Sequence, residues 1–96
     1  MNSGVRDSIW SVYVLYSSRL GRTYVGCAHD VALRLGQHNA GAVRATRNGI
    51  PWRVVQTELI GDYEQALHRE RYFKSGAGRR KLHAMLSWDA ALPAPR

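Results

Sequence analysis

Cysteine and acidic residues are both scarce in this chain. A single cysteine excludes an intramolecular disulfide and fits a reducing compartment. No run of about 18 apolar residues occurs, and the first residues form no apolar secretory segment, so we expect neither a membrane span nor a membrane partner. Together these absences predict a cytoplasmic protein.

The shortage of acids leaves a strongly basic chain. Its 14 lysines and arginines exceed its 7 aspartates and glutamates, which gives a formal charge of +7. Such a surplus favours a polyanionic partner, and nucleic acid is the obvious one, although charge by itself also keeps proteins in solution. The composition therefore suggests binding to nucleic acid without identifying a site.

The length of 96 residues leaves room for one compact domain. Residues 1–8 are polar and without periodicity, and residues 89–96 are rich in alanine and proline, so both are predicted to be loose extensions. The working domain is expected to cover residues 9–88 and to act as a monomer.

The domain is predicted to begin with a β-hairpin. Residues 12–16 and 23–25 are rich in valine and tyrosine, and residues 19–21 supply a tight loop between them. Pairing of these strands would make Tyr13 and Tyr24 cross-strand neighbours. A phenol has a pKa near 10, so it becomes a base only where a nearby cation or a metal-bound phosphate favours the phenolate.

A helix with polar groups on its inner face is predicted next. Asp30 is a good N-cap, and Arg34 and His38 fall on one stripe at helical spacing. Residues 41–51 contain glycine, proline and arginine and predict a basic loop, and residues 52–59 alternate well enough for a third strand.

The second half of the chain predicts two more helices. A capping-box start at Asp62 opens a helix that should end near Lys74, and a short helix follows over residues 79–86. The expected apolar stripe of the longer helix comprises Tyr63, Ala66, Leu67 and Phe73. Glu70 lies on this stripe, and a buried carboxylate without a partner is unfavourable, so Glu70 needs an arginine or a metal ion.

These elements indicate an α+β fold, in which a three-stranded antiparallel sheet is flanked by helices. Such a fold could bring two phenols, a guanidinium, an imidazole and a carboxylate to one surface. Phosphodiester cleavage uses these types: a base or water-orienting group, a cation for the developing charge, and a divalent metal on oxygen ligands. One carboxylate with several waters suits magnesium.

The combined pattern resembles the GIY-YIG nuclease superfamily over residues 10–82. The segments that carry the resemblance are Ser11-Val12-Tyr13, Tyr24-Val25-Gly26, Arg34, His38-Asn39-Ala40-Gly41, Ala66-Leu67, Glu70 and Lys74-Ser75-Gly76. It is most similar to small single-domain members related to the amino-terminal nuclease module of the excinuclease C subunit. Ser11 replaces the first glycine of the family name, and Cys27 stands where excinuclease-like relatives carry a lysine.

The resemblance implies a metal-dependent endonuclease that hydrolyses phosphodiester bonds in DNA. One Mg²⁺ or Mn²⁺ ion would be held by Glu70. Tyr13 and Tyr24 would orient or deprotonate the attacking water, and which phenol is the base stays open. Arg34 would bind the scissile phosphate, and His38 would support the phosphate or a tyrosine.

Little sequence specificity is expected, because no recognition domain is attached. Single-stranded or branched DNA should be preferred, since its backbone bends into a shallow site more easily than intact duplex. The side chains expected to contact nucleic acid are Arg44, Arg47, Lys74, Arg79, Arg80 and Lys81. Trp52 is expected to pack in the core or at its rim, with stacking on a base as the lesser alternative. The alternatives are a catalytically silent nucleic-acid adaptor and an accessory subunit that needs a partner, and DNA is not distinguished from RNA.

Structural explanations compete with these catalytic roles. Arg34 could pair with Asp30 at i, i+4. His38 could satisfy a carbonyl at the end of its helix. Glu70 could pair with Lys74 or another surface cation.

Overall fold

The computed structural model describes residues 9–86. In chain order the elements are β1 (Trp10–Ser17), β2 (Arg22–Ala28), α1 (Val31–Asn39), a 3-10 helix (Arg44–Gly49), β3 (Trp52–Gly61), α2 (Tyr63–Lys74) and α3 (Gly76–Leu86). The predicted α+β class with a three-stranded antiparallel sheet is confirmed. Within the described residues, every helix is too short or too polar to cross a membrane. The predicted extensions, and Trp88 at the end of the predicted domain, lie outside the described residues.

Strand β1 is the centre of the sheet, and it pairs antiparallel with β2 on one side and with β3 on the other. All residues from Ser11 to Ser17 are buried, because helices cover both faces of the sheet. The β1–β2 turn ends at Gly21, whose φ of 64° suits a residue without Cβ. The backbone N–H of Gly21 donates to the Ser17 carbonyl at 2.8 Å, which closes the hairpin.

The register of the hairpin corrects one detail of the prediction. Tyr13 lies opposite Gly26, and Tyr24 lies opposite Leu15. The two tyrosines therefore share one face of the sheet as diagonal neighbours and do not face each other directly. Diagonal positions are about 7 to 8 Å apart, which aromatic side chains still bridge.

Two apolar clusters lie on opposite faces of the sheet. One joins β1 and β2 to helices α2 and α3, and its buried members are Val12, Val14, Val25, Ala66, Phe73, Leu82 and Leu86. The other lies under α1 and the 3-10 helix, with Tyr13, Leu15, Ala28 and Trp52 buried. The layer that contains α1 is therefore the one that buries a tyrosine of the predicted site.

Helix α2 begins as predicted, but its apolar stripe is shorter than expected. The Asp62 side chain accepts from the backbone N–H of Gln65 at 2.8 Å, and the Gln65 side chain accepts from the N–H of Asp62, which completes the capping box. Ala66 and Phe73 are buried, whereas Tyr63 is 49% exposed. Tyr63 was expected to be buried, and instead it packs against Trp10 with its ring centroid 4.8 Å away.

Helix α3 begins at Gly76, earlier than the predicted start at Arg79. The reason is that Ser75 caps the helix: its hydroxyl accepts from the N–H of Gly78 at 3.1 Å, and its carbonyl accepts from Arg79. Such a cap satisfies backbone groups that the first turn leaves without partners. The three basic residues at 79–81 are exposed, as predicted.

The predicted basic loop at residues 41–51 contains the 3-10 helix, and hydrogen bonds between Asn39 and Trp52 hold the two ends of the loop together. The Asn39 side chain accepts from the N–H of Trp52 at 2.7 Å and donates to the carbonyl of Trp52 at 3.0 Å. The Trp52 ring is only 6% exposed, and its Nε1–H donates to the Thr46 carbonyl at 2.7 Å. The expected packing of Trp52 in the core is therefore confirmed, and the alternative of stacking on a base is not.

Helices α2 and α3 approach so closely at Gly78 that no side chain fits there. A Cβ atom at Gly78 would collide with the carbonyl oxygen of Tyr72, whereas one at Gly36 in α1 would meet nothing within 4 Å. We expect Gly78→Ala to lower the free energy of unfolding by about 1 to 3 kcal/mol. The matched Gly36→Ala should raise it by about 0.4 to 1 kcal/mol, because alanine restricts the unfolded chain.

Urea denaturation of both variants and of the parent chain measures these changes. Equal effects of the two substitutions would contradict the close approach of α2 and α3 at this residue.

Candidate active site

Helix α1 places two polar side chains against the sheet. The Asp30 side chain accepts from the N–H of Leu33 at 3.0 Å and caps the helix, as predicted. Arg34 and His38 follow one turn apart on its inner face. This local geometry brings a guanidinium and an imidazole under the same phenol, that of Tyr13.

His38 is completely buried and uses both ring nitrogens. Its Nδ1 lies 2.7 Å from the Thr46 hydroxyl, and its Nε2 lies 2.9 Å from the Tyr13 hydroxyl. The Thr46 hydroxyl donates to the Val43 carbonyl at 3.3 Å, so it accepts from the imidazole N–H. It follows that Nδ1 carries the proton of the neutral ring, and that Tyr13 donates to Nε2.

Burial keeps this pair of groups uncharged. It lowers the pKa of His38, and the positive charge of Arg34 lowers it further. Burial also raises the pKa of Tyr13, and this outweighs the hydrogen bond from Arg34, which lowers it. At neutral pH the hydrogen bond therefore joins a neutral phenol to a neutral imidazole.

Gly26 makes room for the Tyr13 phenol. A Cβ atom at Gly26 would lie 2.6 Å from the Tyr13 hydroxyl oxygen, closer than side-chain atoms approach. The glycine that ends the Tyr24-Val25-Gly26 segment is thus required for space, since its backbone does not adopt a positive φ.

Tyr24 lies on the edge strand β2 and is half-buried. Its ring centroid is 5.2 Å from that of His38 and 6.4 Å from that of Trp52. The Lys74 ammonium of α2 lies 5.5 Å from the centroid of the Tyr24 ring. Tyr24 therefore connects the α1 side of the site with helix α2.

Glu70 contributes the carboxylate from α2. Its side chain is 17% exposed, and its Oε2 lies 2.8 Å from the Lys74 ammonium. The Cys27 thiol lies close enough to the same carboxylate to interact with it electrostatically. Burial, together with this interaction with Glu70, raises the pKa of Cys27 to about 11. The thiol is therefore neutral.

The structure brings together all five residues predicted to be catalytic. His38 is hydrogen-bonded to Tyr13, which lies beside Arg34. The His38 ring also packs against the Tyr24 ring, which lies near Lys74, and Lys74 pairs with Glu70. The five predicted residues are Tyr13, Tyr24, Arg34, His38 and Glu70. We call these five residues and Lys74 the polar cluster. Their catalytic roles remain predictions, because proximity alone does not test them.

Two of the three competing structural explanations do not describe the observed contacts. Within residues 9–86 Arg34 forms no ion pair with Asp30, and its Nη1 donates to Gln37 at 2.8 Å instead. His38 contacts hydroxyl groups and does not cap a helix carbonyl. The third explanation is observed, since Glu70 does pair with Lys74.

The residues predicted to contact nucleic acid lie in different layers. Arg44 and Arg47 are exposed on the 3-10 helix, on the α1 side of the sheet, and Arg47 donates to the Gly41 carbonyl at 2.7 Å. Arg79, Arg80 and Lys81 are exposed on α3, on the other side, and Lys74 pairs with Glu70 at the edge between them.

Thr46 and Gln37 were missed by the sequence analysis. Thr46 lies within the predicted basic loop, where no periodicity indicated that its hydroxyl would be buried against His38. Gln37 lies one turn beyond Arg34, and this i, i+3 spacing on a predicted helix was a signal that could have identified it as a partner of the guanidinium.

Comparison with known proteins decides the family. A family model of the GIY-YIG catalytic domain matches residues 9–83. The chain belongs to the GIY-YIG family. The resemblance inferred from the sequence is thereby confirmed, and membership implies nuclease-type activity on nucleic acid.

The chain is also similar to curated proteins that are named UPF0213 proteins. The UPF0213 protein SG0387 of Sodalis glossinidius is 30% identical over 88 residues, which cover 91% of this chain and 81% of that protein. The UPF0213 protein SAG0778 of Streptococcus agalactiae is 33% identical over 72 residues, which cover 74% of this chain and 81% of that protein. No solved structure matches this GIY-YIG chain significantly.

The lowered pKa of His38 predicts how stability depends on pH. Below about pH 6.5 the unfolded chain protonates this histidine, while the folded chain resists until a lower pH, so the unfolded state binds more protons. The free energy of unfolding should therefore fall as pH decreases below about 6.5, by up to about 1.4 kcal/mol per pH unit.

Urea denaturation between about pH 5.5 and 7.5 measures this slope. His38→Gln should flatten it, whereas His83→Gln, at an exposed position of α3, should leave it unchanged. The same slope in His38→Gln and in the parent chain would contradict the assignment.

Proposed function

We propose that this protein is a metal-dependent endonuclease that hydrolyses phosphodiester bonds in DNA. The observation that carries the proposal is that Arg34 of α1 lies beside Tyr13, while Lys74 of α2 links the Tyr24 ring to Glu70. Arg34 and Glu70 lie far apart in the chain, and the fold brings both near the same hairpin. A phosphate-binding cation beside a carboxylate and a phenol is the set that phosphodiester hydrolysis requires.

The donor set fits a magnesium ion. Within residues 9–86 no three His, Cys, Asp or Glu side chains are grouped to form a closed metal site. Mg²⁺ keeps several waters and is commonly bound by one or two carboxylates together with substrate phosphates. Glu70 would hold one Mg²⁺ or Mn²⁺ ion, and the ion would neutralise charge on the phosphate as it develops.

Lys74 would change partner when the site is loaded. Its ammonium neutralises Glu70 across 2.8 Å, and its side chain is 46% exposed, so it can move without disturbing the core. With a cation held by Glu70, Lys74 would be available to bind the negatively charged backbone of the substrate. This exchange would give Lys74 its predicted role in nucleic-acid binding.

Arg34 is well placed to bind the scissile phosphate. Its guanidinium is held on one side by Gln37 and on another by the Tyr13 oxygen, so little freedom remains to be lost on binding. A planar guanidinium presents parallel donors that match phosphate oxygens, and it would stabilise the negative charge of the transition state.

The two tyrosines would have different tasks. Tyr13 is 1% exposed and donates a hydrogen bond to His38, so it would position the guanidinium of Arg34. Tyr24 is partly exposed at the sheet edge, so it is the phenol that a substrate can reach. Tyr24 would orient or deprotonate the water that attacks phosphorus as the bond to the leaving oxygen breaks; the leaving oxygen would take a proton from solvent.

A catalytically silent nucleic-acid adaptor is the second candidate. The Glu70–Lys74 ion pair favours it, because the carboxylate already has a cation of its own. Such an adaptor would bind through its basic side chains with strong salt dependence and would cut nothing. An accessory subunit would cut only with a partner protein present.

Replacement of Glu70 tests the endonuclease. We expect Glu70→Gln to reduce the cleavage rate of labelled oligonucleotides in Mg²⁺ by about 100-fold or more, the size seen when one electrostatic group of a transition state is removed. Glu64→Gln removes a carboxylate from an exposed position of the same helix and should cleave at the parent rate. Both variants should still bind DNA.

Equal cleavage by the parent and Glu70→Gln would indicate a contaminating nuclease. Salt-dependent binding without cleavage by any of the three proteins would favour the adaptor, and cleavage only after addition of cell extract would favour the accessory subunit.

The preferred DNA structure is tested separately. Single-stranded and flap oligonucleotides should be cut at least about tenfold faster than a duplex of the same sequence, because bending the duplex costs free energy. Cleavage is compared in Mg²⁺ and in chelator. Products from the duplex alone would refute this preference, whatever the result for Glu70.

A further inference from the structure

A groove of about 360 Å³ opens between the end of strand β2 and helix α1. Its size is within the range of about 300 to 1,000 Å³ typical of small-molecule sites. Trp10 and His29 form one wall, Leu33, Arg34 and Gln37 form the other, and Cys27 lies between the walls. The lining is thus mainly apolar and aromatic, with a few polar groups.

The aromatic wall is ordered by contacts of its own. The ring centroids of Trp10 and His29 are 4.0 Å apart, and the Tyr63 ring also packs against Trp10, at 4.8 Å. The His29 ring is held by a 3.1 Å hydrogen bond between its Nδ1 and the Ile9 carbonyl. His29 is exposed despite these contacts, so the wall offers ring surface to a ligand.

The opposite wall contains an apolar side chain that the core does not use. Leu33 is 62% exposed at the mouth of the groove. It lies one residue from Arg34 and one helical turn from Gln37, so apolar surface and hydrogen-bond donors stand side by side on α1. A flat ring with polar edges would contact both.

The groove is continuous with the polar cluster at two points. Arg34 lines the groove and also contacts the Tyr13 phenol. Cys27 lines the groove and interacts electrostatically with Glu70. A ligand in the groove would therefore lie directly beside the guanidinium proposed to bind the scissile phosphate.

We propose that this groove binds one unpaired nucleobase adjacent to the scissile phosphate. The proposal rests on the nuclease function proposed above and names its substrate class: a strand with at least one base outside the duplex stack. Aromatic rings stack on bases of any sequence, which agrees with the little sequence specificity expected of this nuclease. A paired base could not enter, because its faces are covered by its neighbours in the duplex.

The test compares binding of two strands with the same number of phosphates. One is an oligothymidylate, and the other is an abasic backbone of equal length. Affinities are measured by fluorescence anisotropy in chelator, so that nothing is cut. The parent protein should bind the base-bearing strand about tenfold more tightly or better, since stacking contributes about 1 to 3 kcal/mol per base.

A matched pair of variants locates the base. Leu33→Asp places a charge in the groove, and Leu59→Asp places the same charge on β3, where the side chain is 78% exposed. The added charge lowers the affinity for both strands by the same factor, so the ratio of the two affinities isolates the contribution of the base. Leu33→Asp should lower that ratio about fivefold or more, and Leu59→Asp should preserve it.

The outcomes separate the groove from the nuclease. Salt-dependent binding with equal affinity for the two strands would overturn the proposed base site but would not contradict the nuclease function. The same ratio in Leu33→Asp and Leu59→Asp would overturn it too, because the base would then bind elsewhere. Binding of neither strand would overturn both proposals. If the parent protein prefers the base-bearing strand but cleaves no oligonucleotide, the base site is supported and the nuclease function is refuted.

Discussion

The arrangement of the site depends on the burial of one imidazole. His38 is excluded from solvent, and its two nitrogens are satisfied by Tyr13 from β1 and by Thr46 from the 3-10 helix. A buried polar ring without partners would be unfavourable, so these two hydrogen bonds restrict α1 to one rotation over the sheet. That rotation places Arg34 beside the phenol of Tyr13.

The edge position of β2 lets two helical layers share one site. Successive side chains of a strand point to opposite faces, so Tyr24 faces the α1 layer while Cys27 faces α2. Lys74 reaches around the edge to the Tyr24 ring and also pairs with Glu70. At a central strand the neighbouring strands would separate these groups, and no single substrate could contact both layers.

Local signals predicted most of the elements, and the errors lie where distant residues intervene. Asp30 and Asp62 begin helices as expected, because capping involves only a few consecutive residues. The start of α3 was placed too late, although Ser75 provides a local cap. Tyr63 was assigned the wrong environment, since its burial depends on how far neighbouring elements extend over its ring, whereas the expected core packing of Trp52 is observed.

The sequence by itself determined which chemical groups are present and how those within one element are spaced, such as the single turn between Arg34 and His38. It also carried the combination of segments by which the family is identified. Only the tertiary structure decided that Tyr13 is a buried hydrogen-bond donor and Tyr24 the accessible phenol, and that Glu70 already has Lys74 and Cys27 as partners. The physical reason is that spacing within a helix follows from the backbone, whereas exposure and the direction of a hydrogen bond depend on side chains brought together from distant parts of the chain.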